Sequence, residues 1–287
     1  MQNTNDDMVL LKKMQKKQME LLKELDRVCK ILKIKFYLSS GTCLGALRHG
    51  GFIPWDDDVD TYMFWEDAQI LEKNRHLFAE KYFLQCRGTE PNVRNAIYRL
   101  RDSNTSWFTS EEGRDDINHG ILMDIYILYP YPDNSLYAHK VILDSFVYRT
   151  LLAGKGPQNH GRIPRLMGDL VCKMYSGERA IKKIDKIENE YKYNGGKKYY
   201  ATYYGRDATL THSIVYPKEW FDNPVEMKFE DMTVNCPRDI HAYCKLQNGD
   251  TYMQLPPEEK RKPHHDFVFC SVDEPYTKYK GIYYDAE

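Results

Sequence analysis

This sequence predicts an α+β fold, and three observations carry that prediction. Amphipathic helical stretches alternate with short apolar runs through the first half, a helical middle follows, and the tail returns to short strands and turns. Steps of three and four residues between apolar positions mark the helices, and short apolar or alternating runs mark the strands. The 287 residues suffice for one large domain or two modest ones, and 42% hydrophobic content allows a sizeable core.

The first helix runs from Asp7 to Leu32, with Leu11, Met14, Leu21, Leu22, Leu25, Val28, Cys29 and Leu32 on one stripe. Such a stripe packs on a core; docking on a partner or a membrane surface is its other use. Lys35–Ser39 reads as a strand, Gly41 breaks it, and Thr42–Arg48 forms helical turns that end at Gly50–Gly51. Val59–Met63 is the next strand and Glu66–Lys81 the next helix. Tyr82–Gln85, Ala96–Arg101, Thr105–Phe108 and Ile121–Leu128 follow as strands. Past Pro130–Asp133 the pattern turns helical, over Ser135–Leu152, Pro164–Tyr175 and Glu178–Tyr191. The chain thus divides into 1–132, 133–198 and 199–287.

Composition removes several function classes. A formal net charge of −1 gives no global field for nucleic acid or an anionic membrane. The opening MQNTNDD has no basic-then-apolar signal pattern, and no apolar run approaches the ~18 residues of a spanning helix. The seven cysteines form no CxxC pair, which points to reduced thiols and a cytoplasmic protein.

The chemistry concentrates in Gly51–Phe52–Ile53–Pro54–Trp55–Asp56–Asp57–Asp58–Val59–Asp60. Acidic clusters are often solvated turns. Here, however, Trp55, Val59, Tyr62 and Met63 interleave with or follow the acids. On a strand, Asp58 and Asp60 share a face, because side chains alternate. Paired carboxylates repel unless a cation lies between them, and Mg²⁺ is commonly held by one or two carboxylates plus substrate phosphates. Just upstream, Ser40–Gly41–Thr42 at a helix start suits a phosphate. Asp124 is the one charge in the apolar strand Ile121–Leu128, so it requires a partner. Either it is a satisfied core Asp, or it is a third metal carboxylate beside Asp58 and Asp60. Phosphate oxygens could be met by Arg48 and His49, by Arg99 and Arg101 on alternate positions of one strand, or by the cationic run Arg261–Lys262 with His264 and His265.

From Ser40 to Asp60, with Arg101–Asp102–Ser103–Asn104–Thr105, Met123–Asp124–Ile125 and Tyr252–Met253–Gln254–Leu255–Pro256–Pro257 followed by His264–His265–Asp266, the chain resembles the LicD family of phosphotransferases and, more distantly, fukutin-related proteins. The resemblance implies a nucleotidyltransferase-like core of the polymerase-β type: a mixed sheet with flanking helices, into which 133–198 is a helical insertion. It implies that Asp58 and Asp60 form the D-x-D pair, with Asp124 the third acid and Asp56 extending the metal set. It implies Mg²⁺ or Mn²⁺ as cofactor. The reaction implied moves a phospho-alcohol from a CDP-activated donor to a hydroxyl of a cell-surface glycan or teichoic acid precursor. Phosphocholine from CDP-choline is the best-known case. Asp124 either accepts the hydroxyl proton or positions the metal. The acceptor can be lipid-linked, which places the enzyme in the cytoplasm or at the inner face of the membrane, in peripheral contact. A quaternary ammonium calls for an aromatic cage. The chain has 23 tyrosines, and Tyr199, Tyr200, Tyr203 and Tyr204 are clustered.

Three other readings use the same residues. A nucleotidylyltransferase would release pyrophosphate from an NTP rather than CMP from a CDP-alcohol. A D-x-D glycosyltransferase would use a nucleotide sugar. A glycan-binding module with a structural metal would catalyse nothing.

Overall fold

The computed structural model describes residues 4–94, 96–110, 112, 114–157, 161–193, 199–201, 214–263 and 267–285. In chain order the elements are α1 (Thr4–Leu32), β1 (Tyr37–Leu38), α2 (Ser40–His49), β2 (Asp60–Phe64), α3 (Trp65–Lys73), β3 (Tyr82–Gln85), β4 (Tyr98–Asp102), β5 (Ser106–Thr109), β6 (Ile121–Tyr131), α4 (Ser135–Ala153), α5 (Arg162–Met174) and α6 (Glu178–Tyr193). They continue with β7 (Tyr199–Ala201), β8 (Tyr216–Pro217), α7 (Glu219–Asp222), β9 (Val225–Phe229), β10 (Met232–Cys236), α8 (Ile240–Asn248) and β11 (Phe267–Ser271). The chain is α+β, as its periodicities predict.

It forms two compact units. One comprises Met1–Asn92, Tyr98–Tyr126 and Asn223–Glu287; the other comprises Val93–Ile97 and Ile127–Asp222. The sequence places its boundaries at 132 and 198. Long-range pairing instead returns the segment after Asp222 to the first unit, which local periodicity could not reveal.

In the first unit the sheet runs β1-β2-β6-β4-β3. Antiparallel registers set Arg99 opposite Asp124 and Arg101 opposite Leu122. Helix α1 is a core helix: Leu11, Met14, Leu21, Leu22, Leu25, Val28 and Cys29 are each at most 3% exposed. Gln18 on the same helix donates to the Leu122 carbonyl at 2.7 Å. Helix α3 stops at Lys73, well short of the predicted Lys81. Asn74 folds its side chain back onto the Ile70 carbonyl, and a 3₁₀ turn at Arg75–Leu77 leads to the buried Phe78.

Hairpin β9–β10 reaches back to the segment before the acids. Its turn residue Glu230 (φ 53°) donates its N–H to the Gly50 carbonyl at 2.9 Å and accepts from the Phe52 N–H at 3.0 Å. A Cβ on Gly51 would come within 2.1 Å of the Glu230 carboxylate, so a larger residue there would have to displace that side chain.

In the second unit, α4 packs against both α5 and α6. Asp144 of α4 pairs with Lys140 at 2.8 Å and with Lys183 of α6 at 3.4 Å. The end of β6 pairs antiparallel with β7, Tyr129 opposite Ala201, and β7 pairs with β8.

Candidate active site

The acid run lies in the loop before β2 and on that strand's first residue. Three contacts fix it. Gln15 of α1 donates to the Asp56 carbonyl at 2.8 Å. The Asp60 N–H donates to Thr42 Oγ1 at 2.9 Å, and the Ser39 N–H donates to the Asp60 carbonyl at 3.0 Å. The first turn of α2 is thereby clasped to the start of β2. Gly41 completes the approach, since a Cβ there would lie 3.2 Å from Asp56 Oδ2. The segment therefore folds so that a helix N-terminus, with its partial positive charge, faces a carboxylate.

Oxygens of Asp56, Asp57 and Asp58 all lie within 4.8 Å of one another; Asp56 and Asp57 are buried and Asp58 half-buried. Among the described residues this is the one group of three or more His, Cys, Asp or Glu side chains with that geometry. An all-oxygen carboxylate set of this kind fits a hard divalent cation. Asp56 and Asp58 thus belong both to the predicted set and to the geometric one. Strand alternation selects Asp58 and Asp60 and leaves Asp57 out, but alternation does not govern the loop on which Asp57 lies. Asp60 is buried at the start of β2.

Asp124 sits on the strand adjacent to the acids, as expected. Its N–H donates to the Val59 carbonyl at 3.3 Å, and Thr61 Oγ1 donates to its carbonyl at 3.1 Å. Its carboxylate does not join the triple. Oδ1 accepts from Arg99 Nε at 3.0 Å, so the reading of Asp124 as an ion-paired acid is the one the geometry favours.

Arg99 and Arg101 do share a face, because both reach Glu112 Oε1. They face carboxylates, however, rather than an open cleft. Arg101 is fully buried and donates to Gln85 Oε1 at 2.7 Å, to the Gly120 carbonyl at 3.0 Å and to Glu112. A guanidinium with no exposure and each of its nitrogens engaged cannot grip a substrate phosphate, which corrects the expectation for Arg101. Burial lowers its pKa, and Glu112 only partly offsets that. For Arg99 burial acts the same way, but Asp124 and Glu112 outweigh it and raise its pKa. Glu112 is the hub that sequence reasoning missed, because it lies in a loop with no periodic pattern. Burial works to raise its pKa; Arg101, His119 and Arg99 overcome this and hold it well below the glutamate range.

A depressed folded pKa means that the unfolded chain binds the extra proton first. The stabilisation from Glu112 is therefore complete above the ordinary glutamate pKa and is lost as pH falls below it. Urea unfolding between about pH 7 and pH 3 should show a steep acid limb that Glu112→Gln flattens. Parallel limbs for the two proteins would contradict this.

The other predicted ligands are placed as follows. Thr42 is buried with its hydroxyl accepting from Asp60. Ser40 has a left-handed φ of 45°, and its N–H donates to the Tyr243 hydroxyl at 2.8 Å. Helix α2 begins without a side-chain cap from Ser39. Helix geometry gives the Gly41 and Thr42 N–H groups no intrahelical partner, so they are suited to an anion. Arg48 donates through Nη1 to the Tyr252 and Gln254 carbonyls at 2.9 and 3.2 Å, tying α2 to the segment Tyr252–Pro257. His49 is exposed and accepts from Arg48 Nε at 2.9 Å; burial and the Arg48 charge lower its pKa. Arg261 lies over the Trp55 ring, 5.8 Å from its centroid, bringing the cationic tail to the residue preceding Asp56. His264, His265, Tyr203 and Tyr204 lie outside the described residues, as do the side chains of Tyr199 and Tyr200.

Residues 33–127, which contain the clasped α2–β2 unit and its acids, match the family model described as LicD/FKTN/FKRP, nucleotidyltransferase domain. The chain carries a LicD-family domain. Outside that domain the likeness continues: 28% identity over 272 residues relates the chain to the lipopolysaccharide cholinephosphotransferase LicD of Haemophilus influenzae, covering 86% of this chain and 92% of that protein. The ribitol-5-phosphate transferase FKTN of Mus musculus is 45% identical over 65 residues, 23% of this chain and 13% of that protein. The human ribitol 5-phosphate transferase FKRP is 45% identical over 42 residues, 15% of this chain and 8% of that protein. Among the described residues no helix is long and apolar enough to cross a membrane.

Proposed function

We propose that this protein is a divalent-metal-dependent phosphotransferase with a nucleotidyltransferase-like core. It moves a phospho-alcohol, phosphocholine first, from a CDP-activated donor to a glycan hydroxyl. The observation that carries this reading is the carboxylate cluster Asp56–Asp57–Asp58 set against the open first turn of α2. The likeness to a cholinephosphotransferase over 86% of this chain favours phosphocholine over ribitol phosphate, since the ribitol-phosphate transferases match over short segments.

Asp56 and Asp58 would hold the metal, Mg²⁺ or Mn²⁺, with Asp60 and Asp57 beside them. When bound, the ion neutralises diphosphate charge and stabilises CMP as a leaving group. The chain's own contribution is positional. The Gly41 and Thr42 N–H groups receive phosphate oxygens, and the Ser39–Asp60–Thr42 clasp keeps that helix start beside the acids. The acceptor oxygen forms its bond to the phosphorus of the phospho-alcohol as the bond to CMP breaks; the electron pair leaves with CMP and the hydroxyl proton is released. Asp124, held by Arg99, positions the adjacent strand. In this reading the protein works in the cytoplasm, at the face of the membrane where a lipid-linked acceptor is available.

A thermal-shift panel tests the reading. CDP-choline, CDP-ribitol and CTP are each added with Mg²⁺ or Mn²⁺. CDP-choline with metal is expected to stabilise most, by about 2.7 kcal/mol at a hundredfold excess over Kd. Stabilisation by CTP alone, with pyrophosphate as product, would instead establish the nucleotidylyltransferase.

A further inference from the structure

Helix α5 is seated the wrong way round for a core helix. Its small and polar side is the packed one. Gly168 is buried where a Cβ would come within 2.6 Å of Gly156 Cα, Asp169 Oδ1 accepts from the Gly156 N–H at 3.0 Å, and Cys172 donates to the Thr150 carbonyl. Its apolar side faces outward. Ile163, Leu166, Met167, Leu170 and Met174 are 72%, 67%, 44%, 57% and 59% exposed. Steps of three and four residues align all five on one stripe. Arg162, four residues before Leu166, and Lys173, three after Leu170, border that stripe and are exposed. The helix's single acid, Asp169, is turned to Gly156.

We propose that α5 is a membrane-surface helix that lies in the headgroup region of an anionic bilayer. Stripe and border supply the two interactions such a helix requires, apolar insertion to a depth of ~5–10 Å and cations at the phosphate level. A second copy of the chain fits less well. A 13-residue helix is about 20 Å long and offers a face on the order of 200 Å², against ~800 Å² per partner in a stable dimer. The assignment does not depend on the proposed transfer reaction.

The test is co-sedimentation of the full-length protein with phosphatidylcholine vesicles, pure or with about one quarter phosphatidylglycerol, at ~0.1 M salt. The protein should partition to the anionic vesicles at least about tenfold better than to neutral ones. The double variant Leu166→Gln/Leu170→Gln should lose about tenfold or more of that binding with unchanged thermal unfolding. Arg162→Gln/Lys173→Gln should lose about fivefold per charge on anionic vesicles alone. Ile163→Gln repeats the apolar test if the double variant unfolds. Three results would overturn the proposal: no binding to anionic vesicles, binding indifferent to the leucine substitutions, or a concentration-dependent dimer that those substitutions make monomeric.

Discussion

Asp58→Asn is expected to abolish transfer and metal-dependent stabilisation while leaving the metal-free protein at least as stable as the wild type. Both effects come from the same geometry. Oxygens of Asp56, Asp57 and Asp58 lie within 4.8 Å of one another. At that separation two like charges repel by about 3 kcal/mol for an effective dielectric of ~20. Removing one charge relieves part of this cost, so unfolding without metal should not move to lower temperature. In the proposed reading the same change also removes a ligand oxygen from the cation, and metal stabilisation of several kcal/mol corresponds to roughly a thousandfold in turnover. Turnover and metal-titrated thermal unfolding of one preparation read both quantities. A variant that still turns over at near wild-type rate would refute the metal assignment. One that is much less stable without metal would show instead that Asp58 is a structural acid.

The second large effect is on stability. Arg101→Met should cost about 3–5 kcal/mol, because it leaves Glu112, Gln85 and the Gly120 carbonyl short of a partner inside the first unit. Arg101→Lys should cost less but still be costly, since an ammonium cannot reproduce the guanidinium fork. Urea unfolding at neutral pH measures both. If Arg101 instead bound phosphate, the loss would fall on KM for the donor and stability would stay within about 1 kcal/mol of wild type. That outcome would restore the sequence-based expectation over the structural one.

Periodic features were legible in the sequence and contingent ones were not. The stripe from Leu11 to Cys29 states its own burial, because a helix repeats every three to four residues and α1 does bury that side. The strand Ile121–Leu128 is equally plain, and its lone charge, Asp124, calls for the partner that Arg99 supplies. Sequence alone could not choose between Arg99 and a cation, because their distance is set by the β4–β6 register. The acids show the opposite limit. Alternation selects Asp58 and Asp60, but the strand begins only at Asp60, so Asp57 joins its neighbours on an irregular loop. The sequence extends α3 beyond Lys73 because Glu, Lys, Arg and His favour or tolerate helix there, whereas Asn74 turns the chain. The outward side of α5 was also hidden, since periodicity reveals that a helix has two sides but not which one its neighbours take.

The Glu230 turn has a consequence for how the chain must be handled. The stretch that matches the family model, 33–127, meets the Glu230 carboxylate, about a hundred residues beyond its end, beside Gly51. The same carboxylate holds the Phe52 amide, close ahead of the acids. A fragment cut at that boundary would lose this contact just ahead of the acidic loop. Most of the matched stretch therefore shares its compact unit with a much later part of the polypeptide, Asn223–Glu287.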